Sequence, residues 1–138
     1  MIIDSHCHLH DREFYTKDEA EECLVRAREA EVEKIVCIGT SHEDSLAARE
    51  FAAGRKGVYW TYGIHPEHAG MAGGSELWGD LANLAETVAS CFDESLVAIG
   101  EVGLDYHYEG YERASQIRLF EEMLQLATGN DLPVSFHI

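Results

Sequence analysis

Asp4-Ser5-His6-Cys7-His8 follows the apolar run Met1-Ile2-Ile3 directly, and this opening stretch reads as a strand that carries two imidazoles out of a core. Side chains alternate along a strand, so His6 and His8 share one face while Cys7 takes the other. Two imidazole nitrogens on one face can hold a single divalent ion without backbone distortion. Alone, the pair is also compatible with a solvated strand end, and the rest of the chain has to decide.

Working outward, Thr16-Lys17-Asp18-Glu19 is a capping box, and Ala20, Cys23, Leu24 and Ala27 behind it trace one face of a helix. Lys34 to Gly39 reads as a strand whose run Ile35-Val36-Cys37-Ile38 predicts cover on both sides. Ser41, with Asp44 three residues on, opens a second helix with Ala48, Phe51 and Ala52 on its buried stripe. Val58 to Ile64 is a third strand, ended by His65-Pro66. Gly70 to Gly74 reads as a loop, followed by a helix with Leu77, Leu81, Leu84, Ala85, Val88 and Phe92 on one side. Leu96 to Gly100 is a fourth strand. Glu112 to Thr128 is a helix with Ile117, Phe120, Leu124 and Ala127 on its apolar side, and Leu132 to Ile138 is a fifth strand. Strands alternating with helices at this spacing predict an α/β fold of βαβ units around a parallel sheet, with about five strands and four helices.

The 138 residues suit one domain, and 46% hydrophobic with 26% charged residues is an ordinary globular balance. Against 10 basic residues stand 26 acidic ones, for a formal charge of −16. That excess argues against nucleic-acid binding through a broad basic surface; a phosphate-bearing substrate would need cations or a local basic cluster. Cys7, Cys23, Cys37 and Cys91 form no Cys-x-x-Cys pair and read as free thiols in a reducing cytoplasm. With no signal peptide and no long apolar run, the expectation is a cytoplasmic protein with no membrane partner.

Parallel α/β folds gather ligands at the carboxyl ends of their strands. The first strand delivers His6 and His8 there, the third His65, the fourth Glu101 and the fifth His137. Each of these types can coordinate a metal ion or orient a group bound to one. Glu101, directly beyond Val97-Ala98-Ile99-Gly100, is a carboxylate with two oxygens to share between two cations.

Four blocks carry a resemblance to the TatD family of metal-dependent deoxyribonucleases. They are Asp4-Ser5-His6-Cys7-His8-Leu9, Gly63-Ile64-His65-Pro66, the run Ala98-Ile99-Gly100-Glu101-Val102-Gly103-Leu104-Asp105-Tyr106, and the pattern from Gln116 through Phe120, Leu126 and Ala127 to Leu132-Pro133-Val134 and His137. The resemblance implies a (β/α) TIM barrel of the amidohydrolase type that cleaves DNA phosphodiesters with two divalent ions, Mg2+, Mn2+ or Zn2+. It implies that His6 and His8 hold one ion, that Glu101 bridges both and serves catalysis, and that His137 belongs to the second. His65, Asp105 and Tyr106 would meet substrate, and Asp4 would orient a histidine. The family's barrel needs eight strands and about 250 residues. The resemblance also implies a further histidine and an aspartate on later strands. The expectation for residues 1–138 is therefore the N-terminal portion of one barrel domain, a fragment of a longer enzyme that is inactive by itself for want of those later ligands, with completion by self-association or by a complementary C-terminal half as the lesser alternative.

Two other classes fit the same residues: a non-catalytic metal-binding or oligomerising barrel fragment, and a metal-dependent hydrolase of lactones, esters or amides. The remaining histidines are expected to matter less. His10 and His68 read as solvated loop residues, His42 as a first-turn helix residue, and His107 as a neighbour of the cleft.

Overall fold

A computed structural model describes residues 1–69, 89–90, 93–107 and 109–138. The loop expected at Gly70 to Gly74 and nearly all of the helix expected over Leu77 to Phe92 lie outside these residues. Five parallel strands form one sheet in the order β1-β2-β3-β4-β5: β1 Ile2–Cys7, β2 Val32–Cys37, β3 Val58–Tyr62, β4 Leu96–Gly103 and β5 Val134–His137. Each strand pairs with its predecessor, the arrangement that βαβ crossovers produce when a sheet curls toward a barrel. Among the described residues the helices are α1 Lys17–Glu29, α2 His42–Ala52, α3 Arg113–Gly129 and a 3-10 turn at Pro66–Ala69.

Local chemistry places these elements. Thr16 and Glu19 form both arms of the expected capping box at the start of α1, which buries Ala20 and Leu24. Ser41 caps α2 by accepting from the Asp44 amide at 3.1 Å, and α2 buries Ala48, Phe51 and Ala52. The core gathers these side chains with Ile35, Cys37, Val58, Trp60, Tyr62, Ile99, Leu119 and Met123. The run Ile35 to Ile38 is covered on both faces: Ile35 and Cys37 are buried on one, and on the other Val36 is half-buried and Ile38, directly after β2, is fully buried. The outer edges of the sheet are open. Ile2 is 52% exposed, Ile3 49% and Phe136 53%.

Asp93, which no sequence pattern marks, anchors the start of β4. Its carboxylate accepts from Trp60 Nε1 at 3.1 Å, the Ser95 amide at 2.8 Å and the Leu96 amide at 3.1 Å, and pairs with Arg49 Nε at 3.2 Å. Burial opposes its ionisation, but the Ser95, Trp60 and Arg49 donors outweigh it and draw its pKa down to about 2. Asp93 therefore stabilises the fold above the ordinary carboxylate range, and that contribution is lost as pH falls toward 2.

Candidate metal centre

β1 runs through the opening motif, so His6 lies inside the strand and His8 just beyond it. Their rings meet edge to face at 5.2 Å, while Cys7 turns the other way, its Sγ 3.9 Å from Cys37 Sγ on β2. Alternation along the strand thus sets the pair on one face. Asp4 meets His6 through the backbone, accepting from its amide at 3.1 Å.

β4 extends three residues further than its apolar run suggested, and this puts Glu101 within the strand. Its backbone is pinned from two sides. The Glu101 amide donates to Gly39 O at 2.7 Å, and Thr61 Oγ1 donates to Gly100 O while accepting from the Gly39 amide at 3.1 Å. Gly63 makes room for this: a Cβ there would collide with the Gly100 and Glu101 backbone. The carboxylate so placed faces two ways. Oε2 lies 3.6 Å from His6 Nε2, and Oε1 lies 2.9 Å from His137 Nδ1.

His137 ends β5 opposite Gly103, where a side chain would strike the His137 carbonyl. Its Nε2 lies 3.1 Å from Asp105 Oδ2. A carboxylate on one imidazole nitrogen fixes how the other is presented, so Asp105 orients His137 with Nδ1 on the Glu101 side. His65, beyond β3, packs its ring edge to face on His137 at 4.2 Å. The Glu67 amide donates to His65 Nδ1 at 3.3 Å, which leaves the proton of the neutral ring on Nε2. Burial lowers the His65 pKa, with the His137 charge adding to the effect; burial likewise lowers that of His8, aided by His6 and His10. Both rings therefore stay neutral to a lower pH than a free histidine.

Three donor groups result among the described residues: His6, His8 and Glu101 offer atoms within 4.8 Å of one another, and so do His65, Glu101 and His137, and His8, His10 and Asp44. Imidazole and carboxylate donors in this number fit a zinc- or manganese-class ion, and the shared Glu101 fits a pair of them. The expected residues Asp4, His6, His8, His65, Glu101, Asp105 and His137 thus come to one end of the sheet. Tyr106 lies at the rim, 38% exposed and stacked on Tyr111.

His10 differs from its expectation. It is 1% exposed, not solvated, and its Nε2 lies 2.9 Å from Asp44 Oδ1, whose other oxygen accepts from the Thr40 amide and hydroxyl at 2.8 and 2.9 Å. Burial raises the cost of the Asp44 charge, and the bonds from His10 and Thr40 more than offset it, so the carboxyl stays below its ordinary range. The pair turns the loop after β1 inward, beside a cavity of about 490 Å³ lined by His8, Phe14, Tyr15, Thr40 and Asp44 among others. Asp44 three residues after a helix cap was visible in the sequence; nothing there announced its partner.

The sheet and its donor set define a parallel (β/α)-barrel architecture with histidines and carboxylates gathered at the carboxyl ends of the strands. Residues 3–138 match the family model described as TatD related DNase, and the chain belongs to that family. It is 34% identical over 137 residues to the uncharacterized metal-dependent hydrolase YabD of Bacillus subtilis, covering 99% of this chain and 50% of that protein. To the 3'-5' ssDNA/RNA exonuclease TatD of Yersinia pseudotuberculosis it is 40% identical over 114 residues, 81% of this chain and 41% of that one. The crystal structure of YjjV, a TatD homologue from Escherichia coli K12, superposes with a TM-score of 0.84 at 31% identity, covering 99% of this chain and 50% of that one. The chain spans about half the length of the curated relatives it matches.

Proposed function

We propose that the protein is a metal-dependent nuclease that hydrolyses phosphodiester bonds of DNA at a two-cation centre, with single strands as the preferred form. The observation that carries this reading is Glu101, whose two oxygens face His6 and His137 from one carboxylate. Family membership supports it, as does the name of the TatD relatives. His6 and His8 would hold one cation, His137 the other, and Glu101 both; Mn2+, Mg2+ or Zn2+ would supply Lewis acidity and a water-derived nucleophile at neutral pH. The chain's own groups would do the rest. Asp105 holds the His137 ring in place, and His65 presents its Nε2 proton to a phosphoryl oxygen. Cations so held offset the acidic surface locally, which reconciles a charge of −16 with a polyanionic substrate.

The test is hydrolysis of a labelled single-stranded oligonucleotide by the protein, with Mn2+ and with EDTA. Cleavage with Mn2+ only, and loss of Mn2+ binding by calorimetry in a His6→Ala, His8→Ala double variant, are the expected results. Because burial holds the His8 pKa low, cation binding should persist to below the ordinary imidazole value near 6.5 and fall as pH drops further. Unaltered Mn2+ affinity in the double variant would sink the reading. Hydrolysis of a lactone or amide panel in preference to the oligonucleotide would move it to the other hydrolase class.

The same reading extends to the domain and its surroundings: one barrel, in the cytoplasm, of which these residues supply five strands. No described helix is long and apolar enough to cross a membrane. β1 and β5 are edge strands, and an apolar hollow of about 250 Å³ opens at β5 between Leu104, Phe120, Phe136 and Ile138. Open edges with exposed apolar side chains favour strand addition, from a complementary half or from a second copy. For residues 1–138 alone, sedimentation at micromolar concentration should therefore show dimers or larger species. Lysine at Ile3 and Phe136 should shift the distribution toward monomer, and a monomer at all concentrations would count against open edges as the cause.

A further inference from the structure

An aromatic and cationic cluster stands at the rim of the donor set, and neither the cation-holding residues nor the core accounts for it. Tyr106 follows Asp105, the residue that holds His137, and stacks on Tyr111 with ring centroids 4.8 Å apart and planes 29° from parallel. The Arg113 guanidinium lies 5.4 Å from the Tyr106 centroid. Tyr106 and Tyr111 are 38% and 44% exposed, so two large rings pair with each other at the surface instead of entering the core. Among the described residues no carboxylate forms an ion pair with Arg113. Glu109 and Glu112 flank the cluster, which makes this arginine the group that decides whether a phosphate is tolerated there.

The position is fixed relative to the site. Gln116, 2% exposed, accepts from the Asp105 amide at 2.8 Å and donates to the Asp105 carbonyl at 2.6 Å. That clamp ties the end of β4 to the first turns of α3, where Arg113 is the first residue. A cation at this end adds to the positive helix terminus, and the combination favours an anion.

We propose that Tyr106, Tyr111 and Arg113 form a platform for an unpaired nucleobase flanking the scissile phosphodiester, with the ring stack continuing through the base and Arg113 holding the adjacent phosphate. Stacking on aromatic rings with a cation alongside is how single strands are held without sequence readout. A duplex, whose bases are already stacked, gains nothing from such a surface. This deepens the nuclease reading above and rests on it.

The test compares kcat/KM on a single-stranded oligonucleotide with kcat/KM on bis(4-nitrophenyl) phosphate, a diester with no base. Tyr111→Ala should lower the oligonucleotide-to-small-diester ratio about tenfold, mainly through KM, and Tyr111→Phe should keep the wild-type ratio. Arg113→Ala should lower the ratio as well and reduce the salt dependence of the oligonucleotide reaction by about 0.7 in log–log slope. Wild-type ratios in Tyr111→Ala and Arg113→Ala, or equal losses on both substrates, overturn the platform and leave the nuclease reading standing. If the wild-type protein cleaves neither substrate, the nuclease reading fails and the platform falls with it.

Discussion

Glu101→Gln is expected to lower cation-dependent phosphodiester hydrolysis by about a thousandfold, some 4 kcal/mol in transition-state stabilisation. The substitution keeps size and shape but removes the charge that lets one group serve two cations. Little else changes. The Glu101 amide still donates to Gly39 O, and the backbone remains between Thr61 and Gly63. The variant should melt near the wild type, so a fall in activity would report on the site and not on folding. Calorimetry should show weakened binding of both Mn2+ equivalents, because the carboxylate faces the His6 group and the His137 group together. Asp105→Asn is the informative contrast. It leaves the donor atoms in place and loosens only the hold on His137 Nε2, which should cost about 10–100-fold. Activity in Glu101→Gln within tenfold of the wild type would remove the bridging role.

The site was legible in the sequence to the extent that strand periodicity makes it so. His6 and His8 share a face because their spacing is two, and His65, Glu101 and His137 each follow an apolar run that a parallel sheet aligns at one end. The helix caps were equally plain, since Thr16 with Glu19 and Ser41 with Asp44 act within four residues. What could not be read were contacts between segments distant in sequence. His10 looked like a loop histidine because burial depends on which way the loop turns, and that is settled by Asp44, 34 residues away. No sequence pattern marks Asp93, yet it holds Trp60 and Arg49 from two other elements. The length of β4 was underestimated for a related reason. Its apolar run stops at Ile99, and the pairing of Val102 with Phe136 and Gly103 with His137 carries the strand onward.

Gly63→Ala is expected to cost about 3 kcal/mol or more and to dislodge Glu101, since one added methyl must enter space that the Gly100–Glu101 peptide already fills. The obstruction consists of the Gly100 carbonyl and the Glu101 amide, and neither can swing aside as a long side chain could. The Glu101 amide is held by Gly39 O at 2.7 Å, and the Gly100 carbonyl by the Thr61 hydroxyl. Gly63 cannot retreat either. Its amide donates to Ser45 Oγ at 3.1 Å, and that hydroxyl donates to Ser41 O at 2.6 Å, so the glycine is tied to the first turn of α2 through a fully buried side chain. Relief must come from a shift of β4, which carries the carboxylate away from His6 and His137. Stability and Mn2+ affinity should therefore fall together, measured by urea unfolding and by titration. Gly129→Ala supplies the control: nothing lies within 4 Å of the added methyl, and it should leave both quantities near the wild type. A Gly63→Ala protein with normal Mn2+ affinity would mean that Glu101 is not positioned by this crossing, and the short path from Gly63 to the donor set would have to be abandoned.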